Sequence, residues 1–466
     1  MKSALDEILE VRGMPRPEPG EVTITGADPV FSTRYKAGET CAAAIASIGV
    51  AVNDIWQLRT GRRQKVAVEV RHAAAALRSS HYLERSNDGG AFKPVVNPDY
   101  QRLGPITRPW PTKDGRFFLP HFSMPHLERR VLGVLGADPT AESVGPAVAR
   151  WNALELEGAI DRAGGCGAMV RSNEEWRSEP HGRVLAAKPV VEVITIGDSR
   201  PEPMPEAARP LHGIRVLDLT RVLAGPICAR TLAEHGAEVL MIGADDVPQM
   251  TEHVMDTSHG KRSTYLDLKN PAEAEQLKAL VRQADVFSQG YRPGVLGRLG
   301  FAPEQLAALR PGIVYCSISC FGADGPFSHR PGWEQIAQTV SGLCHENNPD
   351  KPRLVPAPVC DYTTGYLGAY GVLLALARRA REGGSYHVRV SLCQSAMLIH
   401  RQGRVAYSDN NLELDPAELD RYRMVSQTPY GGLKHLKPVL QLSETAPHWS
   451  RPSPRLGQDR AEWPAA

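Results

Sequence analysis

The sequence predicts an α/β protein built on a doubly wound parallel sheet. In the C-terminal half, β-rich runs at 213–220, 238–243 and 263–269 alternate with segments whose apolar residues recur at helical spacing. One such segment, 270–284, begins with Asn270 at the N-cap and a proline in the first helical position, an order that starts helices. Strands that alternate with helices of this length favour a parallel sheet with helices on both faces.

An internal repeat relates the beginning of the chain to its later part. With a constant shift of 322, residues 59–75 align without a gap on residues 381–397, and Gly49 falls on Gly371. Both copies show the order helix, glycine turn, alternating strand, helix. The alternative is that two similar units match by chance. We favour a duplication, which implies that each half carries part of one ancestral fold.

The charge distribution gives no sign of a nucleic-acid partner. The 466 residues include 54 basic and 52 acidic side chains, a formal net charge of +2, and these are spread along the chain. Without a basic stripe, the release of counterions cannot drive binding to nucleic acid. A chain of this length with 42% hydrophobic residues is long enough for two or three domains.

The N-terminus and the cysteines predict a cytoplasmic protein with no membrane or metal partner. Residues 1–20 carry acidic side chains where a signal peptide needs a positive flank, and no later segment approaches the ~20 apolar residues of a membrane span. The eight cysteines form no CxxC pair and no metal-ligand spacing with histidine. We therefore expect buried thiols in a reducing compartment and no metal site.

The C-terminal half contains seven distinctive motifs, which are, in order, DLTRVLAGP, LAEHGAEVL, HGKRSTYLDLK, YRPGVLGRLG, IVYCSISCFGADGP, RPGWEQIAQTVSG and CDYTTGYLGAYGVLLAL. The first strand–helix junction lacks the G-x-G-x-x-G pattern, so an ordinary dinucleotide site is not expected there. Over roughly residues 211–400 the sequence instead resembles the family III CoA-transferases, the group that contains formyl-CoA:oxalate and carnitine CoA-transferases. The resemblance rests on these seven motifs and on their order along the chain.

The same resemblance suggests how the chain is divided. Residues 80–200 resemble, more loosely, the smaller α+β domain of that family, which normally follows the CoA-binding domain. A duplication followed by loss of the first copy's beginning explains the order. The predicted units are 1–79, a partial repeat of the helix-turn-strand unit; 80–198, the small-domain-like region; 199–211, a proline-rich linker; 212–442, the CoA-binding α/β domain; and 443–466, an extended tail anchored by Trp449 and Trp463.

Asp361 is the candidate nucleophile. By resemblance it occupies the place of the family's catalytic aspartate, and it lies between a proline-rich extended run and a helical pattern. That position puts its carboxylate at a helix N-terminus, where unpaired N–H groups and the helix dipole favour an anion able to attack a thioester. The alternative is that Asp361 serves only as an N-cap. The first copy has Glu39 at the matching position, where an extra methylene displaces the carboxylate by about 1 Å, so we interpret Glu39 as vestigial or structural.

Contacts with CoA are implied at four positions. The resemblance places Lys261 and Arg298 at the nucleotide end of CoA, and Val222 and Leu223 on the loop that lines its channel. Phosphate groups require fixed cations and backbone donors, which these residues would supply.

Trp333 and Glu334 bear on the type of reaction. Racemases of the wider family carry a histidine base and an aspartate at this place, and Trp333 removes that base, which favours a transferase. Glu334 is a candidate residue of the substrate pocket, or else a buried structural carboxylate. By the same resemblance, Met241 and Gly243 replace a charged pair near the adenine end, and Gly290 replaces the asparagine that is common before the aromatic residue of the RPG motif. These departures leave the acyl donor and acceptor open.

The resemblance implies a CoA-transferase that moves CoA between an acyl-CoA thioester and a carboxylic acid acceptor through an aspartyl covalent intermediate. Its substrates would be acyl-CoA and a small carboxylic acid, with no permanently bound cofactor. The alternatives are an acyl-CoA racemase or isomerase, and a non-catalytic acyl-CoA binding protein. Family members form interlocked dimers, so a homodimer is expected unless the duplication supplies an internal pseudo-dimer.

Overall fold

The structure is a computed structural model of the chain, and it describes residues 2–87, 89–406 and 414–464. The strands, in chain order, are β1 (Val22–Thr25), β2 (Val66–Glu69), β3 (Glu84–Ser86), β4 (Lys93–Pro94), β5 (Trp110–Pro111), β6 (Phe117–Pro120), β7 (Gly167–Met169), β8 (Glu192–Gly197), β9 (Arg215–Leu219), β10 (Glu238–Gly243), β11 (Lys261–Tyr265), β12 (Val286–Gln289), β13 (Val314–Ser319), β14 (Ser385–Ser391), β15 (Arg423–Thr428), β16 (Gly431–Leu436) and β17 (Gln441–Leu442).

The α-helices, in the same order, are α1 (Ala4–Leu9), α2 (Ala37–Thr60), α3 (Val70–Ala76), α4 (Pro98–Leu103), α5 (Pro125–Leu135), α6 (Ala141–Val148), α7 (Ala153–Arg162), α8 (Asn173–Ser178), α9 (Pro180–Ala186), α10 (Ala224–Glu234), α11 (Thr251–Thr257), α12 (Pro271–Val281), α13 (Pro303–Leu309), α14 (Glu334–Ser341), α15 (Leu343–Asn347), α16 (Val359–Glu382), α17 (Leu392–Arg401) and α18 (Pro416–Tyr422).

The largest sheet has seven strands in the order β11-β10-β9-β12-β13-β14-β8. The first six pair in parallel, so the prediction of a doubly wound parallel sheet is confirmed. The seventh strand, β8, comes from the N-terminal half and pairs antiparallel with β14. The N-terminal half therefore completes the sheet of the C-terminal half.

The structure reproduces the sequence repeat. Helices α2 and α16 each contain 24 residues, and the shift of 322 carries the bounds of one onto those of the other. Strand β2 pairs parallel with β1 and antiparallel with β17, just as β14 pairs parallel with β13 and antiparallel with β8. Because α2 packs directly against α16, two copies of one unit face each other inside the chain.

One close contact recurs in both copies. A Cβ atom at Gly49 would lie 2.4 Å from Cγ1 of Val66, and a Cβ atom at Gly371 would lie 2.5 Å from Cγ1 of Val388. In each copy the missing side chain lets the long helix approach the strand that follows it. The shift of 322 relates both glycines and both valines, which supports duplication over a chance match.

A four-stranded sheet joins the two copies at their ends. Its order is β15-β16-β3-β4, and β16 pairs antiparallel with β3. The pair β3–β4 follows the first copy and the hairpin β15–β16 follows the second, so each copy contributes half of the sheet.

The region 80–198 has a core of its own. Strands β5, β6 and β7 form an antiparallel sheet, and helices α5, α6 and α7 pack around it. The division of the chain into five units nevertheless stays a prediction. The segment 199–211 forms neither helix nor strand, but it is held to the body because Arg59 donates hydrogen bonds to the carbonyls of Pro205 and Pro210 (2.7 Å to Pro210).

Helix α2 corrects one expectation from the sequence. It is long and apolar enough to span a membrane, with a hydropathy of 1.4 in its best window, although no such segment was expected. In the structure 89% of that window is buried inside the protein. Its hydropathy comes largely from alanine, isoleucine and valine side chains that pack against neighbouring helices.

The tail from residue 443 to residue 464 is irregular and is attached at two tryptophans. Nε1 of Trp449 donates a hydrogen bond to the carbonyl of Arg230 (3.2 Å), and Nε1 of Trp463 donates one to the carbonyl of Leu280 (3.1 Å).

Candidate active site

Asp361 lies in the first turn of α16, at the carboxyl edge of the large sheet. The helix begins at Val359, so Asp361 is its third residue and not its N-cap. Because α16 leads directly into β14, the two run in opposite directions, and the start of the helix meets the carboxyl ends of the strands. Ligands of open α/β sheets bind at this edge.

Glu334 supplies the cap of this helix from a distance. Its carboxylate accepts hydrogen bonds from the backbone N–H groups of Cys360 (3.1 Å) and Asp361 (2.6 Å), and from Nε2 of Gln338 (2.7 Å). Its side chain is buried. The amides that were expected to stabilise the Asp361 carboxylate therefore serve Glu334 instead, because that carboxylate already occupies the cap position.

The Asp361 carboxylate is left without a donor. In the described parts of the chain no group donates a hydrogen bond to it, and the residue is partly exposed. Burial and then the charge of Glu334 raise the pKa of Asp361 well above its ordinary value. Its oxygens are thus free to attack, and their ionised fraction increases as the pH rises.

The small-domain-like region contributes a wall beside Trp333. The ring of His121, which follows β6, stacks on the Trp333 indole with 5.2 Å between ring centroids. Nε2 of His121 lies 3.1 Å from Oε1 of Gln335, which holds the ring in place. Sequence reasoning did not single out His121, although it lies within residues 80–200, which resemble the smaller domain of the family.

The loop between β9 and α10 has a strained backbone. Val222 has a φ of 70°, in the left-handed region that β-branched residues rarely adopt. The adjacent Leu223 is buried. Strain of this kind is concentrated at functional sites, and the assignment of Val222 and Leu223 to a CoA loop stays a prediction.

Helix α10 brings this loop close to Asp361. A Cβ atom at Gly365 would lie 2.5 Å from the backbone carbonyl oxygen of Ala224 and 2.7 Å from Cβ of Ile227. Gly365 is one turn beyond Asp361, so the start of α10 packs onto the first turns of α16. The absence of a side chain at Gly365 sets the separation between the loop and the carboxylate.

Replacing Gly365 with Ala should therefore disturb both stability and the site. The new methyl group meets backbone that cannot rotate away, and overpacking of this kind costs about 1 to 3 kcal/mol in unfolding free energy. Urea denaturation and CoA affinity would measure the two effects. The control is Gly368→Ala, where the nearest atom is Sγ of Cys228 at 3.3 Å. An equal effect of both substitutions would show that the Ala224 contact does not position the loop.

Arg298 lies on the loop that follows β12. Its side chain is exposed, and it makes no ion pair with any residue in the described ranges. Strands β9 and β12 are neighbours at the point where the strand order reverses, so the loops that carry Val222 and Arg298 flank one crevice. Arg298 is thus placed where an incoming phosphate group is accessible to it.

Lys261 lies in the core of the protein and not on the loops that flank this crevice. Its ammonium is fully buried, 2.8 Å from Oδ2 of Asp218 and 2.9 Å from the carbonyl of Pro226. A contact with a CoA phosphate would require this buried pair to break. The structure brings Val222, Leu223 and Asp361 together and leaves Lys261 in the core beneath α10.

The first copy contains a counterpart of the two neighbouring carboxylates, Glu334 and Asp361. Asp28 accepts hydrogen bonds from the N–H groups of Gly38 (3.2 Å) and Glu39 (2.7 Å), which the shift of 322 carries onto the two amides that Glu334 binds. The Glu39 carboxylate, unlike that of Asp361, is engaged, because it accepts hydrogen bonds from Lys36 (3.2 Å) and from the amide of Asp28 (3.1 Å). Sequence reasoning missed Asp28, which lies outside the aligned repeat.

The family model and the curated relatives that match this chain are CoA-transferases. A family model described as CoA-transferase family III matches residues 211–424. The acetyl-coenzyme A transferase nodX of Hypoxylon pulicicidum is 30% identical over 437 residues, which cover 83% of this chain and 74% of that protein. The succinyl-CoA:glutarate CoA-transferase of Mus musculus is 36% identical over 211 residues, covering 42% of this chain and 48% of that protein.

A solved structure shows a more partial likeness. A CAIB/BAIF family protein from Brucella suis is 27% identical, covers 48% of this chain and 65% of that chain, and has a TM-score of 0.38. The chain thus spans about three quarters of the Hypoxylon relative and about half of the mouse relative.

Proposed function

The chain belongs to CoA-transferase family III, a family of enzymes, and on that premise we propose that it transfers CoA from an acyl-CoA thioester to a small carboxylic acid through covalent intermediates on Asp361. The observation that supports this most is the free carboxylate of Asp361, which lies beside the strained Val222 loop while Glu334 occupies the helix cap.

The first half of the reaction forms two intermediates in turn. An oxygen of Asp361 attacks the thioester carbonyl carbon, the C–S bond breaks, and CoA leaves as a thiolate, which gives a mixed anhydride. The thiolate then attacks the carbonyl carbon of Asp361 and releases the donor acid as a carboxylate. The product of this half is an aspartyl-CoA thioester.

The second half reverses these steps with the acceptor. The acceptor carboxylate attacks the aspartyl thioester, thiolate leaves again, and a new mixed anhydride forms between the acceptor and Asp361. Attack of the thiolate on the acceptor carbonyl gives the new acyl-CoA and frees Asp361. Every step exchanges one carboxylate and one thiolate, so no proton or electron has to be supplied.

We further propose that each chain has one active centre. The second carboxylate pair, Asp28 and Glu39, stands at the equivalent helix start, but Lys36 pairs with the carboxylate of Glu39. Among the described residues the first copy also has no counterpart of the β9–β12 crevice, since the large sheet is built from residues after 191. In this proposal both halves of the chain contribute to one active site. An internal pseudo-dimer is therefore favoured over a site that needs a second chain to be complete.

The acceptor is proposed only as a class, a small carboxylic acid. The relatives are named for different acids, among them glutarate and oxalate, so the family alone does not select one. We also propose a cytoplasmic location, which the eight free and buried cysteines support.

Trapping of the intermediate tests the proposal. After incubation with acetyl-CoA or succinyl-CoA, rapid quenching and intact-mass analysis should show at most one acyl or CoA adduct per chain, and peptide mapping should place it on Asp361. An adduct on Glu39, or two adducts per chain, would contradict a single centre. Deuterium exchange at the α-carbon of the acyl group without any adduct would instead indicate a racemase, and acyl-CoA binding with neither signal would indicate a binding protein.

A further inference from the structure

A cavity of about 270 Å³ is lined by residues at the ends of β12, β13 and β14. Its floor includes Ser317 of β13 and His387 and Arg389 of β14. Side chains alternate between the two faces of a strand, and the face of Val388 and Ile318 is the one on which α16 packs. These three floor residues therefore lie on the opposite face of the sheet from α16. Ile318 and Val390 of the α16 face also line the cavity, whereas Asp361 does not.

The floor of the cavity carries an ordered chain of hydrogen bonds. Nε of Arg389 donates to Nδ1 of His387 over 3.4 Å, so that nitrogen carries no proton. Burial and then the charge of Arg389 lower the pKa of His387 to about 3, which keeps the ring neutral. The remaining proton lies on Nε2, which donates to Oγ of Ser317 over 2.8 Å.

Gln289 completes the arrangement from the neighbouring strand. Its Oε1 accepts a hydrogen bond from the N–H of Tyr291 (2.8 Å), which fixes the orientation of the amide. Its Nε2 therefore donates to Oγ of Ser317 over 2.9 Å. Ser317 Oγ thus accepts two hydrogen bonds while its own O–H finds no acceptor among the described residues. A hydroxyl held in this way requires an acceptor from the cavity.

The charges around the cavity select the kind of acceptor. On one wall, Lys188 forms ion pairs with Glu192 (3.2 Å) and with Asp324. Arg389 also pairs with Asp324 (3.5 Å), so the two positive and two negative charges largely cancel. Arg292 at the mouth is exposed and makes no ion pair with the part of the chain that the structure describes.

Two further features of the cavity lining concern its remaining charge and its apolar wall. Glu304 is the remaining carboxylate, and it is exposed at the start of α13. The rest of the wall is largely apolar, with side chains such as Leu185, Val190 and Leu296.

We propose that this cavity is a binding site for a small organic carboxylate with a short apolar chain, separate from the acyl-transfer centre. The carboxylate accepts the hydrogen bond of Ser317 and is attracted by Arg292, while the chain lies against the apolar wall. The proposal does not depend on the transfer reaction at Asp361.

Calorimetry with butyrate as the probe tests the site. Butyrate should bind to the wild-type protein, whereas butyramide, which has the same shape without the charge, should bind at least about tenfold more weakly. Ser317→Ala and Arg292→Gln should each weaken butyrate binding by about tenfold, while the control Ser317→Thr keeps the hydroxyl and should bind within about threefold of wild type. Asp361→Asn should leave this binding unchanged, even where it abolishes transfer.

Two results would overturn the proposal: equal binding of butyrate and butyramide, or butyrate affinity that neither substitution changes. A second readout covers the case in which a variant does not fold. In the ¹⁵N-labelled wild-type protein, butyrate should shift the Nε2 resonance of His387 and leave that of His121 in place. A titration that moves neither resonance also rejects the site.

Discussion

Replacing Asp361 with Asn should lower the rate of CoA transfer by at least about three orders of magnitude, because the amide keeps the shape of the side chain but removes the nucleophilic charge. CoA affinity should change little, since the loop at Val222 and the exposed Arg298 are untouched. Single-turnover transfer assays and equilibrium binding of CoA measure the two quantities separately.

The chain supplies a matched control for this substitution. Glu39→Gln makes the same acid-to-amide change at the repeat-related position, where the carboxylate pairs with Lys36. It should leave transfer within about twofold of wild type, because that pair is partly exposed and contributes at most about 1 kcal/mol. Retention of a tenth of the activity by Asp361→Asn would remove Asp361 from the mechanism, as would equal losses in both variants.

The pH dependence of transfer follows from the same pair of carboxylates. Burial and Glu334 raise the pKa of Asp361, so transfer should decline, as the pH falls, at a higher pH than an ordinary aspartate would cause. Glu334→Gln removes the neighbouring negative charge and should move this decline to lower pH. A shift toward higher pH would contradict the assigned coupling.

Replacing Lys261 with Ala should destabilise the protein by about 3 to 5 kcal/mol, because it leaves the carboxylate of Asp218 buried without its partner. Urea denaturation should show a lower midpoint. The control is Lys269→Ala, whose ion pair with Asp246 is exposed and whose loss should cost no more than about 1 kcal/mol. A large loss of CoA affinity in a variant of normal stability would instead assign Lys261 to phosphate binding.

The structural features that could be predicted from the sequence alone are those that depend on residues close together in the chain. Strand β10 matches the predicted run 238–243, and Asn270 caps α12 as its spacing indicated. The strand predicted at 263–269 is displaced, since β11 starts at Lys261 and ends at Tyr265. Strand bounds shift in this way because pairing with β10, rather than propensity, decides where the ladder ends.

The remaining features depend on contacts between distant residues. Glu334 caps a helix that begins 25 residues later, and no local pattern reveals that its carboxylate takes the amides beside Asp361. A lysine in a family motif is as compatible with a phosphate contact as with a buried pair, and only the fold shows that Lys261 points into the core. Asp28 lies before the aligned repeat, so its equivalence to Glu334 appears only from its hydrogen bonds.

The pairing of α2 with α16 has a consequence for synthesis of the protein. The helix 37–60 leaves the ribosome before the helix it packs against, 359–382, which is more than 300 residues further along. At roughly 5 to 20 residues per second, the first helix waits on the order of 15 to 60 s for its partner. During that interval its apolar surface is exposed, as are the edges of β2 and β3, which pair with strands near the C-terminus. The nascent chain is therefore the form in which we expect aggregation and chaperone binding to be most pronounced.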